Sequence, residues 1–251
     1  MIDARVPTPN ETERRRYVTD RHDGTDETTD DGSDSTHDGT DRAGGPDAAC
    51  GTQGRENVPD GGESASLDEI ESMADFERAF TNALDEVPGE FVDESRLVPG
   101  TGPLDAAVVL VGEAPGADEV ETGAPFVGQA GARLDESLEA VGVDREDLYI
   151  TNLVKVRPPD NRTPHVDEIA AWQPVLAAEL ERVSPAVVVP LGTTATSELL
   201  GTDEGITTVH GERFERNGRL VVPAFHPAAQ LYDPSKAEAL ESDLRTAFDS
   251  V

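Results

Sequence analysis

The sequence predicts an α/β fold: a three-layer α/β/α sandwich around a central four-stranded parallel sheet. Three observations carry that expectation. Short, continuously apolar, β-branched runs stand at 107–111, 148–152, 187–191 and 220–224. Stretches of helical periodicity separate the first three, at 131–141 and 167–183. The runs do not alternate apolar with polar, so both faces of each strand are expected to be covered. Strands that alternate with helices pair in parallel through crossovers.

The other elements follow in chain order. Residues 1–65 read as a disordered acidic extension, dominated by Asp, Gly, Thr and Ser without an apolar period. Such a segment buries too little surface to offset the entropy of ordering it. His22, His37, Cys50 and the Arg run at 14–16 lie in it without ligand spacing or basic surroundings. The domain is expected over 66–251. Its first helix is predicted at 66–84, where Ser66 and Glu69 form a capping-box pattern and Leu67, Ile70, Met73, Phe76 and Phe80 recur every three or four residues. A helix is expected at 194–200, an extra strand pair at 207–209 and 212–216, and a final helix at 235–248.

Composition excludes several classes. The chain has 251 residues, 52 Asp and Glu against 20 Lys and Arg, and a formal net charge of −32. No apolar run is long enough to span a membrane, and residues 1–10 lack the apolar core of a secretion signal, so a cytoplasmic protein is expected. One cysteine excludes a disulfide framework or a multi-cysteine metal site. Only Lys155 and Lys236 are lysines. This bias predicts a salt-loving host, because a Debye length of about 3 Å in molar salt removes the self-repulsion of so acidic a surface. Nothing in the sequence suggests an oligomer, so a monomer is expected.

In parallel sheets ligands bind beyond the carboxyl ends of the strands. After the first strand comes GEAPGADEVETGAPFVGQAG (112–131), a Gly- and Pro-rich loop with Glu113, Glu119 and Phe126. It has neither Gly-Lys-Ser/Thr nor GxGxxG, so it is no phosphate loop. After the second comes TNLVKVRPPDNRTP (151–164), with Asn152, Lys155, Arg157, Asn161 and Arg162; after the fourth comes FHPAAQLYDP (225–234), with His226. A ring can stack on a flat heterocycle, and an amide can read a base edge. A histidine donor can stabilise a departing oxygen, and a carboxylate can orient water. Cations can hold phosphates. Together these groups suggest hydrolysis of a nucleobase from nucleic acid. Each residue also has an ordinary reading. Phe126 would be core, Glu113 and Glu119 solvated charges, Asn152 a turn cap and His226 structural. Arg157 and Arg162 would pair with surface carboxylates.

At these three segments the chain resembles the uracil-DNA glycosylase superfamily, most closely its fourth family, the iron–sulfur enzymes of archaea and bacteria, over roughly residues 90–248. The resemblance implies that Phe126 stacks on a flipped-out uracil and Asn152 reads its edge. His226 would donate to the leaving base. Glu113 and Glu119 would stabilise the sugar cation or position water, with Ala114 beside the base. Asn161 matches a residue implicated in activity. Gln230 and Leu231 stand where the family inserts a wedge into DNA, and Lys155, Arg157 and Arg162 would contact its backbone. The implied reaction is removal of uracil from DNA by a glycosylase without lyase activity, needing no metal. The family's Fe4S4 cluster needs four thiolates. Val156 and Trp172 occupy two of the cysteine positions, and 66–106 contains no Cys, so no cluster is expected. Other readings are a weakly catalytic or non-catalytic binder of deaminated DNA, covalent trapping of the sugar by His165, and a nucleoside hydrolase on the same sheet.

Overall fold

The computed structural model describes residues 78–251, which lie within one compact unit spanning Gly61–Val251. The expected extension and most of the first expected helix lie outside the described residues, as does the boundary between 65 and 66.

Five strands form one sheet: β1 Val108–Gly112, β2 Tyr149–Asn152, β3 Val187–Pro190, β4 Phe214–Arg216 and β5 Arg219–Val221, in the order β2-β1-β3-β5-β4. The four expected runs are the parallel strands β2, β1, β3 and β5. A fifth strand, β4, adds an antiparallel edge by pairing with β5. The expected partner strand at 207–209 is instead part of a one-turn helix. A short apolar, β-branched run does not fix its own period, and here Ile206 and Val209, three residues apart, are the buried ones.

The helices are α1 (78–85), α2 (Ala117–Thr122), α3 (Gln129–Val141), α4 (Val166–Val183), α5 (Thr193–Leu200), α6 (Ile206–Val209) and α7 (Lys236–Phe248). Alternation along the strands splits the core into two layers. Val109, Val111, Tyr149 and Val188 face one layer, with Ile169, Trp172, Val175 and Leu176 of α4 and Ala195 of α5. Val108, Leu110, Ile150 and Val189 face the other, with Leu134 and Leu138 of α3 and Leu240 and Leu244 of α7. Every residue of β1 is buried, which explains its unbroken apolar run.

Trp172 is 1% exposed. Removing a buried indole costs about 3–5 kcal/mol. Trp172→Ala is therefore expected to lower the unfolding free energy by about that much, seen as a fall in the denaturant midpoint. An unchanged midpoint would remove Trp172 from the core.

The order β2-β1-β3 places a topological switch point between β1 and β3, because the chain leaves β1 toward one side and returns on the other. Loops beyond the carboxyl ends of adjacent strands splay apart there and open a crevice. Three segments rise at this end of the sheet: the loop after β1, the turn after β3 and the loop after β5.

Candidate functional site

The site begins with the register Gly112↔Asn152 at the ends of β1 and β2. The ladder continues one step beyond the strands, where Leu153 donates its N–H to Gly112 O (2.9 Å) and Val154 to Glu113 O (3.2 Å). The first and second loops therefore leave the sheet side by side. Asn152 is buried, and among the described residues its side-chain amide has no hydrogen-bond partner. Among the described residues the only fully buried side-chain polar atom without a partner is Thr196 Oγ1, so the unpaired Asn152 amide keeps contact with solvent and is open to a ligand.

Phe126 closes over the same point. A Cβ placed on Gly112 would lie 2.7 Å from the Phe126 ring and against Asn152 Oδ1. Glycine at 112 thus lets the amide and the ring both lie directly against the strand end. Phe126 holds a left-handed backbone, with φ of 54°. That conformation is uncommon for a bulky residue and persists only where the surroundings enforce it. Two contacts enforce it here. Arg145 donates from Nη2 to Pro125 O (2.6 Å), while its Nη1 pairs with Asp135 (2.7 Å). Gly131 lets the first turn of α3 lie directly against Phe126 O, where a Cβ would collide.

His226 approaches from the third loop, its ring 5.5 Å from the Phe126 ring and tilted by 34°. Its Nδ1 accepts the N–H of Ala228 (3.2 Å) at the start of the short turn Pro227–Leu231. In neutral imidazole the proton then sits on Nε2, which becomes a donor. Burial pulls the His226 pKa down from 6.5 to about 4. The preceding residue is braced: Asp243 Oδ2 accepts the N–H of Phe225 (3.4 Å), and Asp243 Oδ1 lies 2.9 Å from His210 Nδ1. Between pH 6.5 and about 4 the unfolded chain carries a proton on this histidine and the folded chain does not. His226 therefore withdraws stability as pH falls through that window. Histidine NMR is expected to show an Nε2–H tautomer at pH 6 with a protonation midpoint near 4. A midpoint above 6 would contradict the desolvated, neutral ring.

Not every expected site residue joins this group. Phe126, Asn152 and His226 do, with Glu113 and Ala114 on the loop beside them, both partly buried. Among the described residues the Glu113 carboxylate has no partner. Glu119 lies in α2 with its carboxylate over the Gly116 backbone, 3.5 Å from the N–H of Gly128, so it braces its own loop.

Lys155 corrects the expectation of a DNA contact. It is completely buried and paired with Glu179 at 2.6 Å, so it cannot reach a phosphate. Arg162 takes the ordinary alternative and grips Glu168 with both terminal nitrogens (2.6 and 2.9 Å). Arg157 donates to Asn161 Oδ1 (2.6 Å). Asn161 is exposed, and no contact among the described residues ties it to the Phe126–Asn152–His226 group. Gln230 donates to Ser137 (3.2 Å), while Leu231 is 40% exposed, as a wedge needs to be. Sequence reasoning missed Gly112, Arg145 and Glu179. For Glu179 a signal existed, since it falls on the apolar stripe of α4 with Ile169, Trp172, Leu176 and Val183.

Comparison with known proteins decides the family. The model of the uracil DNA glycosylase superfamily matches residues 99–248. The chain belongs to the uracil-DNA glycosylase superfamily. Its relatives include the type-4 uracil-DNA glycosylase of Thermotoga maritima, 45% identical over 57% of this chain and 76% of that one. The type-4 enzyme of Saccharolobus solfataricus is 43% identical over 61% and 76%, and that of Archaeoglobus fulgidus 42% over 61% and 80%. These similarities place it with the type-4 branch.

Its donor set does not fit the iron–sulfur cluster of that branch. The chain's single cysteine, Cys50, lies outside the described residues. No group of three potential metal ligands occurs among the described residues. Val156 and Trp172 instead line a crevice of about 290 Å³ with Phe91, Val154 and Arg157, a place distinct from the Phe126–Asn152–His226 group. The second loop is held there by other means. Leu97 bridges Val156 in antiparallel fashion, Val98 donates to Lys155 O (2.7 Å), and Arg96 Nη1 donates to Arg157 O (3.0 Å). No helix among the described residues is long and apolar enough to cross a membrane.

Proposed function

We propose that this uracil-DNA glycosylase works without an iron–sulfur cluster, as a cytoplasmic monomer, in a host living at high salt. The observation that carries the reading is that an amide (Asn152) and a ring (Phe126) meet at Gly112 while a neutral imidazole (His226) lies against the same ring.

The target bond between uracil N1 and the sugar C1′ is inaccessible in duplex DNA, so the nucleotide is flipped out, at a cost of a few kcal/mol. Leu231, exposed at the rim, fills the gap in the stack. Phe126 stacks on the base. The Asn152 amide presents a donor and an acceptor to uracil O4 and N3–H, which cytosine cannot match. As the N-glycosidic bond breaks, its electron pair moves to uracil, and His226 Nε2–H donates to O2. Glu113 is the carboxylate free to face the sugar cation and orient the water that completes hydrolysis. Glu119 and Arg145 hold the loop in place. Lys155, the lysine of the second loop, is buried and paired with Glu179 and cannot form an imine with the sugar, so the proposed product is an intact abasic site.

DNA contact cannot rest mainly on phosphates. At 50–200 mM salt a protein neutralising several phosphates already loses about 10³–10⁵ in affinity. Stacking, the wedge and hydrogen bonds carry it instead.

The test is a labelled oligonucleotide with one uracil, single-stranded or paired with A or G, incubated in about 2 M KCl. Strand cleavage only after alkali, lost in Asn152→Ala, is the expected result. Tight binding to uracil-DNA without base release would favour a binder of deaminated DNA. Hydrolysis of free deoxyuridine alone would favour a nucleoside hydrolase.

A further inference from the structure

Beneath Asn152 lies a buried polar network that the proposed chemistry does not use. Lys155 Nζ has three acceptors: Asn152 O at 2.5 Å, Thr151 Oγ1 at 2.7 Å and Glu179 Oε2 at 2.6 Å. These match the three N–H donors of an ammonium group. Glu179 accepts four hydrogen bonds, two on each oxygen. Oε2 receives Lys155 and Thr151 Oγ1 (3.0 Å); Oε1 receives Tyr149 O–H (3.2 Å) and Gly100 N–H (3.3 Å). The Gly100 N–H can only donate, and among the described residues Glu179 is the one acidic group facing Lys155, which opposes the burial that pulls the Lys155 pKa down. Lys155 and Glu179 are both 0% exposed.

Such a pair is costly to bury, and apolar residues of similar volume are often equally stable in its place. Its placement suggests another use. Glu179 comes from the last turns of α4 and draws together Tyr149 and Thr151 of β2 with the chain at Gly100. Lys155 turns back from the second loop onto the peptide carbonyl of Asn152, the last residue of β2. We infer that Lys155 and Glu179 are positioning residues that fix the backbone of Asn152 and so aim its amide at the base. The inference rests on the proposed reading of Asn152 as the residue that reads uracil. A displacement of 1 Å at a reacting group costs about 10²-fold, so a rigid charged anchor has a value that apolar packing lacks.

The test is a double-mutant cycle in single-turnover uracil excision on the full chain at high salt. Lys155→Met with Glu179→Gln removes the charge from both partners. In the parent background the pair of substitutions is expected to lower the rate at saturating enzyme by about 10²-fold, with little change in the enzyme concentration at half-saturation. In an Asn152→Ala background, where nothing remains to aim, the same substitutions should change the residual rate by less than about threefold. Thr151→Val, which removes the two hydrogen bonds of Thr151 Oγ1 and keeps the volume, gives the same pattern at smaller amplitude and serves if the first variant does not fold. Equal losses in both backgrounds would overturn the inference and leave the network a general stabiliser. No loss in the parent background would overturn it as well. If the parent protein fails to excise uracil, the proposed function fails first, and the two failures are thereby distinguished.

Discussion

Replacing His226 with alanine is expected to lower single-turnover uracil excision by about 10²–10³-fold, the effect of removing one preorganised donor to a developing oxyanion. Binding to uracil-free duplex should barely change, because the ring faces Phe126 within the site. The loss has a defined origin. Ala228 N–H occupies Nδ1, so Nε2–H is the donor that disappears. With a pKa near 4, the ring is already neutral at pH 6. The ratio of parent to variant rates should therefore stay constant from pH 6 to 8. A ratio that climbed as pH fell through 6.5 would show an imidazolium acting instead, and the structure's account of the ring would be wrong.

The second large effect is expected from a single methyl group. Gly112→Ala places a Cβ 2.7 Å from the Phe126 ring and against Asn152 Oδ1, so both side chains proposed to hold the base must shift. Gly112 has no left-handed backbone, so alanine brings no conformational strain of its own. Overpacking of this kind costs about 1–3 kcal/mol of stability, which a folded domain can absorb. Excision should nevertheless fall by at least about 10²-fold, since amide and ring are pushed apart. Gly89→Ala is the control, because a Cβ there meets nothing within 4 Å. Parent-like excision by Gly112→Ala would mean that uracil does not sit between Phe126 and Asn152.

The parts of this molecule that could be read from sequence were those governed by local pattern. β1 and β3 are buried along their whole length and appear as unbroken apolar runs. The helices over them show a repeat of three to four. The run at 207–209 was misread because four residues are too few to separate a strand from one helical turn, and the deciding contacts of Ile206 and Val209 are tertiary.

The site shows the same division. Asn152 ends β2, and Phe126 and His226 lie in the segments after β1 and β5, so a rule about strand ends brought them together. Lys155 was misassigned because, in sequence, it stands among arginines in an exposed-looking loop. Its partner Glu179 lies 24 residues away on α4, and only the packing of α4 against β2 joins them. The contacts of Glu119 and Arg162 were hidden for a similar reason. Their partners, Gly128 and Glu168, are nearby in sequence, but the pairing depends on how each loop turns back. The acidic composition gave no sign of any of these pairings.

The central claim is that Phe126, Asn152 and His226 excise uracil in a protein with no cluster to hold the second loop. The most direct measurement is free uracil released from uracil-containing DNA by the purified full chain at high salt, with iron and sulfide quantified in the same sample. The account predicts complete release of uracil, an alkali-labile product, and no iron above background. Failure of the folded protein to release uracil would contradict it, and so would activity that rises and falls with bound iron.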